Sequence, residues 1–195
     1  MDPVFDLDLR PGLPADLRYL LEKYPRETWD GHANIEGTAR FWLSRHDMFR
    51  ELGGALTEAL NEEREGRLAI APFRQWFVPR LGFFLNQLHG HHQVEDAHYF
   101  PAYQKAEPRM ARGFELLDAD HVVIHADLER AAETANAFLQ ATNGSDAGSD
   151  AAKRARDGYS EASERLLKRL VRHLGDEEDL IIPLILDRGD SALEG

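Results

Sequence analysis

The 195-residue sequence contains no cysteine, which excludes disulfide bonds, thiolate zinc sites, iron–sulfur clusters and cysteine nucleophiles. It is also poor in residues that favour strands, since Val, Ile and Thr together number 17, whereas Leu and Ala number 26 and 24. Because Leu and Ala are strong helix formers, the composition predicts an all-α protein.

The sequence lacks clusters of basic residues and long apolar runs as well. Asp and Glu number 35 against 23 Lys and Arg, for a formal net charge of −12, whereas nucleic-acid binding requires a clustered basic face. The longest apolar stretch, residues 181–186, is interrupted by Pro183, and a membrane span needs about 18 apolar residues or more. The beginning of the sequence does not resemble a secretory signal. We therefore expect a cytoplasmic protein that binds neither nucleic acid nor membranes.

Four long segments have apolar residues at alternating spacings of three and four, which is typical of amphipathic helices. These segments are residues 36–66, 72–105, 110–141 and 150–186. Four such helices bury their apolar faces only against one another, so the sequence predicts an antiparallel up-down four-helix bundle over residues 36–190. The proline-rich residues 1–35 are predicted to form an N-terminal arm on the outside of the domain, with a short helix at Pro14–Tyr24. The polar residues 143–150 predict a mobile loop.

Histidine interrupts the apolar face of every predicted long helix, and in two helices a glutamate follows one turn later. The residues concerned are His46, His91, Glu95, His121, His125, His173 and Glu177. A bundle core that gathers carboxylates without a positive partner is strongly destabilised. Five imidazoles and two carboxylates are too many ligands for one metal ion and suit two. This donor set favours iron, manganese or zinc over magnesium or calcium, so we interpret it as a di-iron centre, with zinc or manganese as alternatives.

The choice between His91 and His92 depends on an internal similarity. The steps 91–101 and 173–183 both run from a histidine to a proline, and both have a glutamate at the fifth position. This match favours His91 as the inward-facing residue and leaves His92 beside the ligand face, where we expect it to be exposed.

Four motifs occur in order along the chain, at separations of about one helix. They are His46; His91-His92-x-x-Glu95-Asp96 followed by Tyr99-Phe100-Pro101; Asp120-His121-x-x-x-His125; and His173-Leu174-x-x-Glu177-Glu178 followed by Pro183. Over about residues 40–187 the chain resembles the hemerythrin and hemerythrin-like (HHE cation-binding) family. The resemblance implies that His121, His125 and His173 ligate one iron, that His46 and His91 ligate the other, and that Glu95 and Glu177 bridge an oxo- or hydroxo-bridged pair. The second iron then has the open position for O2.

The last bridging carboxylate has two candidates. Glu177 follows His173 by four residues, as in several bacterial and sensor-type relatives, whereas Glu178 follows it by five, as the aspartate does in oxygen carriers. The internal similarity favours Glu177. His98 and Tyr99 follow Glu95 by three and four residues, so either is a candidate hydrogen-bond donor beside the centre.

The resemblance implies a protein that binds or senses O2, or NO or peroxide, more readily than it implies an enzyme. The alternatives are a di-iron enzyme that detoxifies peroxide or NO, and a bundle that stores or senses iron. Glu95 and His98 also fit the Glu-x-x-His spacing of ferritin-like bundles, but the fourth helix has no second copy of that motif.

Overall fold

The computed structural model describes residues 6–143 and 148–190, and within these ranges it contains helices and turns but no strand. The helices are α1 (Tyr19–Lys23), α2 (Thr38–Arg64), α3 (Ile70–Val94), a π-helical turn (Glu95–Tyr99), α4 (Phe100–Ala106), α5 (Ala111–Ala141) and α6 (Asp150–Arg188), with short 3-10 turns at Ala15–Leu17, Arg26–Thr28 and Pro108–Met110. The all-α prediction is confirmed. Residues 144–147 of the predicted loop lie outside the described residues.

The second predicted helix differs from expectation because it changes its hydrogen bonding at Glu95. The N–H of Phe100 bonds to the carbonyl of Glu95, which is five residues earlier and therefore π-helical. The next residue, Pro101, has no N–H to donate to the carbonyl of Ala97, and it lies in the first turn of α4, where a proline is tolerated. π turns of this kind occur frequently at functional sites.

The chain divides into two compact units. The first unit comprises the described residues 6–48, 91–122 and 169–190, and its core includes apolar residues of the N-terminal arm. Those arm residues are Leu13, Leu17, Leu20 and Trp29, each no more than 5% exposed. Burial of one such side chain contributes about 1.5–3 kcal/mol. These apolar side chains of the arm therefore contribute to the core of this unit.

The second unit comprises residues 49–90, 123–143 and 148–168. Aromatic rings dominate its core: Phe73 stacks on Phe77 with ring centroids 4.6 Å apart, and Tyr159 meets Phe77 edge-on at 5.5 Å. Such pairs add to the stabilisation from apolar burial. Among the described helices, none is both long and apolar enough to cross a membrane.

Candidate metal centre

The first unit gathers seven side chains that can act as metal ligands, in two groups. The three-histidine group consists of His92, His121 and His173, and the mixed group consists of His46, His91, Glu95 and Glu177. Within each group, one nitrogen or oxygen atom per residue lies within 4.8 Å of the others.

Five helical elements supply these residues. His46 lies on α2, His91 and His92 lie at the end of α3, Glu95 begins the π turn, His121 lies on α5, and His173 and Glu177 lie on α6. Residues three or four positions apart share one face of a helix. The His91-His92-x-x-Glu95 and His173-x-x-x-Glu177 spacings therefore direct imidazoles and a carboxylate to the same place.

Glu95 reaches both groups. Its Oε1 lies 3.0 Å from Nε2 of His91 in the mixed group, and its Oε2 lies 3.6 Å from Nε2 of His121 in the three-histidine group. The side chain is 1% exposed, and neither oxygen has a hydrogen-bond partner of good geometry among the described residues. In its ionised form, a carboxylate buried in this way needs a positive charge to compensate it.

Glu177 makes the corresponding contacts from α6. Its Oε1 lies 3.6 Å from Nε2 of His46 and accepts a hydrogen bond of 2.5 Å from the Trp42 indole, and its Oε2 lies 3.3 Å from Nε2 of His173. Glu178 lies elsewhere, with its Oε1 3.0 Å from Nδ1 of His46. Of the two candidate carboxylates, it is Glu177 that faces both groups.

Three further carboxylates hold the outer nitrogens of the imidazoles. Asp96 lies 2.6 Å from Nδ1 of His121, Asp120 lies 3.2 Å from Nδ1 of His173, and Glu178 lies 3.0 Å from Nδ1 of His46. An imidazole that donates its Nδ1 proton to a carboxylate presents a lone pair at Nε2. This is the usual second layer of hydrogen bonds around metal-ligating histidines.

The inner nitrogens face one another in pairs. Nε2 of His121 lies 3.1 Å from Nε2 of His173, and Nε2 of His46 lies 3.2 Å from Nε2 of His91. Two nitrogens bound to one ion at about 2.1 Å, with angles of about 90–109°, are about 3.0–3.4 Å apart. The donor spacing and the donor types therefore fit metal ions.

The charges in the metal-free centre are unevenly distributed. Burial, together with the charge of Glu177, raises the pKa of Glu95 well above its usual value. Burial alone would also raise the pKa of Glu177. The charges and hydrogen bonds of His46 and His173 outweigh this effect and hold the pKa of Glu177 well below its usual value. Burial lowers the pKa of His91 to about 3, so its nitrogen is available to a cation at neutral pH. Without a cation, the centre thus ionises one of its two inner carboxylates.

The structure contradicts the sequence analysis at one histidine and leaves a second histidine outside both groups of candidate ligands. The expectation that His92 is exposed is wrong, because His92 is fully buried and its ring stacks on His121 with centroids 4.0 Å apart. His125, predicted as a ligand beside His121, is only partly buried in the second unit, where its ring lies 5.0 Å from that of the exposed His89. His92 had a sequence signal, since it precedes Glu95 by three residues and so shares its helix face.

The two predicted neighbours of the centre lie differently from each other. His98 is exposed, whereas Tyr99 is partly buried with its ring 4.9 Å from that of Trp42. Trp42 in turn donates to Glu177. This indole hydrogen bond could not be predicted from the sequence, because Trp42 also fits the apolar periodicity of α2 as an ordinary core residue.

These observations define an all-helical protein with a buried histidine and carboxylate centre suited to metal cations. A family model described as the hemerythrin HHE cation-binding domain matches residues 38–185, which is more than half of the sequence. The chain belongs to this family. A search of curated proteins and a search of solved structures find no significant match.

Proposed function

We propose that the protein holds two iron ions in its first unit and uses them to bind or sense O2, or a related small ligand such as NO or peroxide. This proposal rests on two pairs of facing imidazole Nε2 atoms, which lie 3.1 and 3.2 Å apart, and on two carboxylates that each reach both groups. Membership in a cation-binding family supports it.

The proposed ligands are the seven clustered side chains. His92, His121 and His173 would hold one ion, His46 and His91 would hold the other, and Glu95 and Glu177, which each reach both groups, would serve both ions. This set differs from the sequence prediction in one residue, because His92 replaces His125. The donor types suit iron, manganese or zinc. The antiparallel four-helix bundle predicted from the sequence belongs to the same proposal, and the family match supports it.

The mixed group is the proposed binding place for the small ligand. It offers two imidazoles where the other group offers three, so an ion held there would keep more coordination positions open. The side chain of His91 is 11% exposed, whereas those of His46, His121 and His173 are at most 2% exposed. Two ferrous ions, when bound, supply an open position and two electrons. A histidine-rich ligand set favours reversible binding over oxygenation.

Aromatic side chains enclose the mixed group. The ring of Trp42 lies 6.2 Å from that of His91, and Tyr99 packs edge-on against Trp42. The indole N–H keeps one oxygen of Glu177 in a fixed direction. The inner carboxylates are at most 1% exposed, and this burial strengthens their attraction to a cation.

The test is an anaerobic metal analysis followed by optical spectra. We expect the purified protein, reconstituted with ferrous iron, to retain two ions per chain and to develop new near-ultraviolet and visible absorption on addition of O2 or NO. Protein that retains no stoichiometric metal contradicts the whole proposal. Protein that retains two ions but shows no spectral response to O2, NO or peroxide contradicts the ligand-binding part alone.

A further inference from the structure

An arginine of the N-terminal arm binds one of the two outer carboxylates of the three-histidine group. Nη1 of Arg10 donates to Asp120 at 2.7 Å, a second and shorter hydrogen bond joins the same pair, and Nε donates to Asp176 at 2.7 Å. Asp120 is the carboxylate held by Nδ1 of His173. The result is a continuous relay of hydrogen bonds, Arg10–Asp120–His173.

A second arm arginine makes the matching relay to the mixed group. Nη1 of Arg26 donates to Oε2 of Glu178 at 2.9 Å, and Oε1 of the same carboxylate lies 3.0 Å from Nδ1 of His46. Arg26 also donates to Asp179 at 2.7 Å and to the carbonyl of Gly175 at 3.0 Å. The arm thus places one guanidinium beside an outer carboxylate of each of the two groups.

The geometry fixes the imidazoles from behind. A carboxylate held only by an imidazole can rotate about its own bonds. The planar fork of Arg10 restrains both oxygens of Asp120, and Arg26 restrains the oxygen of Glu178 that His46 does not contact. Once the carboxylate is fixed, the ring that donates to it is fixed too, and so is the direction of its Nε2 lone pair. Arg10 is 5% exposed, and both of its aspartates are buried, so this is not a solvent-screened surface pair.

Both arginines lie outside the part of the chain that defines the family. The family match begins at residue 38, whereas Arg10 and Arg26 belong to the preceding arm. The apolar side chains of the arm that pack into the core hold the two arginines in place.

We propose that the N-terminal arm is a working part of the metal centre, in which Arg10 and Arg26 are positioning residues that orient His173 and His46 and slow the release of metal. This inference rests on the proposed function, because it requires that these imidazoles bind metal ions. It assigns the arm a role that the family domain alone does not contain.

The test measures metal release from the full chain loaded with cobalt(II), whose visible spectrum reports ligand geometry. Excess chelator is added, and the release rate is followed for the wild type, Arg26→Gln and Arg10→Lys. Arg10→Lys keeps the charge but loses the planar fork. Arg26→Gln changes a side chain that is 44% exposed, so the fold is expected to tolerate it.

Two control variants remove contacts of the same arm away from the relays. Asp8→Asn weakens the ion pair with Arg169, and Lys23→Gln removes the ion pair with Asp187. We expect each relay variant to release metal from one of two positions about 10–100-fold faster, with an altered cobalt spectrum. The controls are expected to release metal at the wild-type rate, with the wild-type spectrum.

The outcomes separate this inference from the proposed function. If wild-type protein binds no metal, the proposed function fails and the inference fails with it. If the wild type binds metal but both relay variants match its release rate and spectrum, only the inference is overturned. It is also overturned if the controls release metal as fast as the relay variants, because the arm then acts through docking alone. Should circular dichroism show that Arg10→Lys is unfolded, Arg26→Gln decides the question.

Discussion

Glu178 lies 3.0 Å from the Nδ1 atom of His46, whereas its neighbour Glu177 lies 3.6 Å from the Nε2 atom of the same ring. The two consecutive glutamates of α6 therefore approach opposite nitrogens of one imidazole. The Nε2 side faces the groups of candidate metal ligands found among the described residues, and of the two glutamates it is Glu177 that reaches both groups.

This difference predicts distinct effects for two otherwise identical substitutions. Glu177→Gln removes a charged inner ligand and is expected to leave no more than one iron ion per chain. Glu178→Gln is expected to retain both ions with about 10–100-fold weaker binding, because it changes a residue behind the ligand. Iron content and chelator competition give the measurement. Equal iron content in the two variants, or greater loss in Glu178→Gln, contradicts the assignment of Glu177 as the bridge.

The two disputed histidines offer a second matched pair. His92→Ala is expected to lose the ion of the three-histidine group, because His92 is buried against His121. His125→Ala is expected to bind metal as the wild type does, since His125 does not belong to either group. Iron content per chain after reconstitution distinguishes them. If His125→Ala loses metal and His92→Ala retains it, the ligand set implied by the sequence resemblance is correct.

Removal of metal is expected to lower the thermal stability of the protein. Glu95 and Glu177 lie in the same buried centre, where burial and the charge of Glu177 disfavour the ionised form of Glu95. Bound cations are expected to compensate both carboxylates and so to stabilise the folded state. At free metal concentrations of about 100 to 1,000 times Kd, binding of one ion adds roughly 3–4 kcal/mol. For a chain of this size that corresponds to a rise in Tm of about 6–16 °C.

Calorimetric melting with and without a chelator measures this change. Glu177→Gln serves as the control, because its Tm is expected to respond much less to chelator. Equal melting temperatures for the wild type in both conditions count against a metal ion bound by the folded state.

A pH prediction concerns Glu107, which is remote in sequence from the metal ligands. The hydrogen bond from Arg109, with help from Arg188, outweighs burial and lowers the pKa of Glu107 to about 2. In the unfolded chain the pKa is about 4.3. Because the folded-state pKa is the lower one, the stabilisation is present above pH of about 4.3 and is lost as pH falls towards 2.

Urea unfolding of metal-free wild type and Glu107→Gln tests this pH dependence. The variant is expected to be less stable by about 1 kcal/mol near neutral pH, a modest value because both arginines are exposed and screened. The difference is expected to shrink as pH falls below about 4. A difference that stays constant down to pH of about 3 contradicts the predicted ionisation.

The sequence predicted the helices well because apolar periodicity is a local property. It also predicted which faces carry imidazoles, since His91 with Glu95 and His173 with Glu177 share faces through spacing alone. Spacing could not decide between His92 and His125. His125 lies about 6 Å further along α5 than His121, because four residues advance a helix by that length. Whether both histidines reach one metal centre depends on how the helices are placed against one another.

The arm relays had no local signature at all. Arg10 meets Asp120 across 110 positions of sequence, and an isolated arginine in a proline-rich segment resembles many surface residues. Such a contact becomes visible only when the arm is folded into the core. Asp96 and Asp120 stood in the recognised motifs, but their roles behind the ligands required distances.

The π turn at Glu95–Tyr99 also affects how this chain is compared with its relatives. Its wider turn uses one more residue than an α-helical turn with the same two ends. The similar ten-residue steps 91–101 and 173–183 are therefore not equivalent in three dimensions, because α6 remains α-helical through Pro183. A relative without the π turn would be one residue shorter here. An alignment must then place the one-residue gap inside the turn, so that the histidines before it and the aromatic residues after it both correspond.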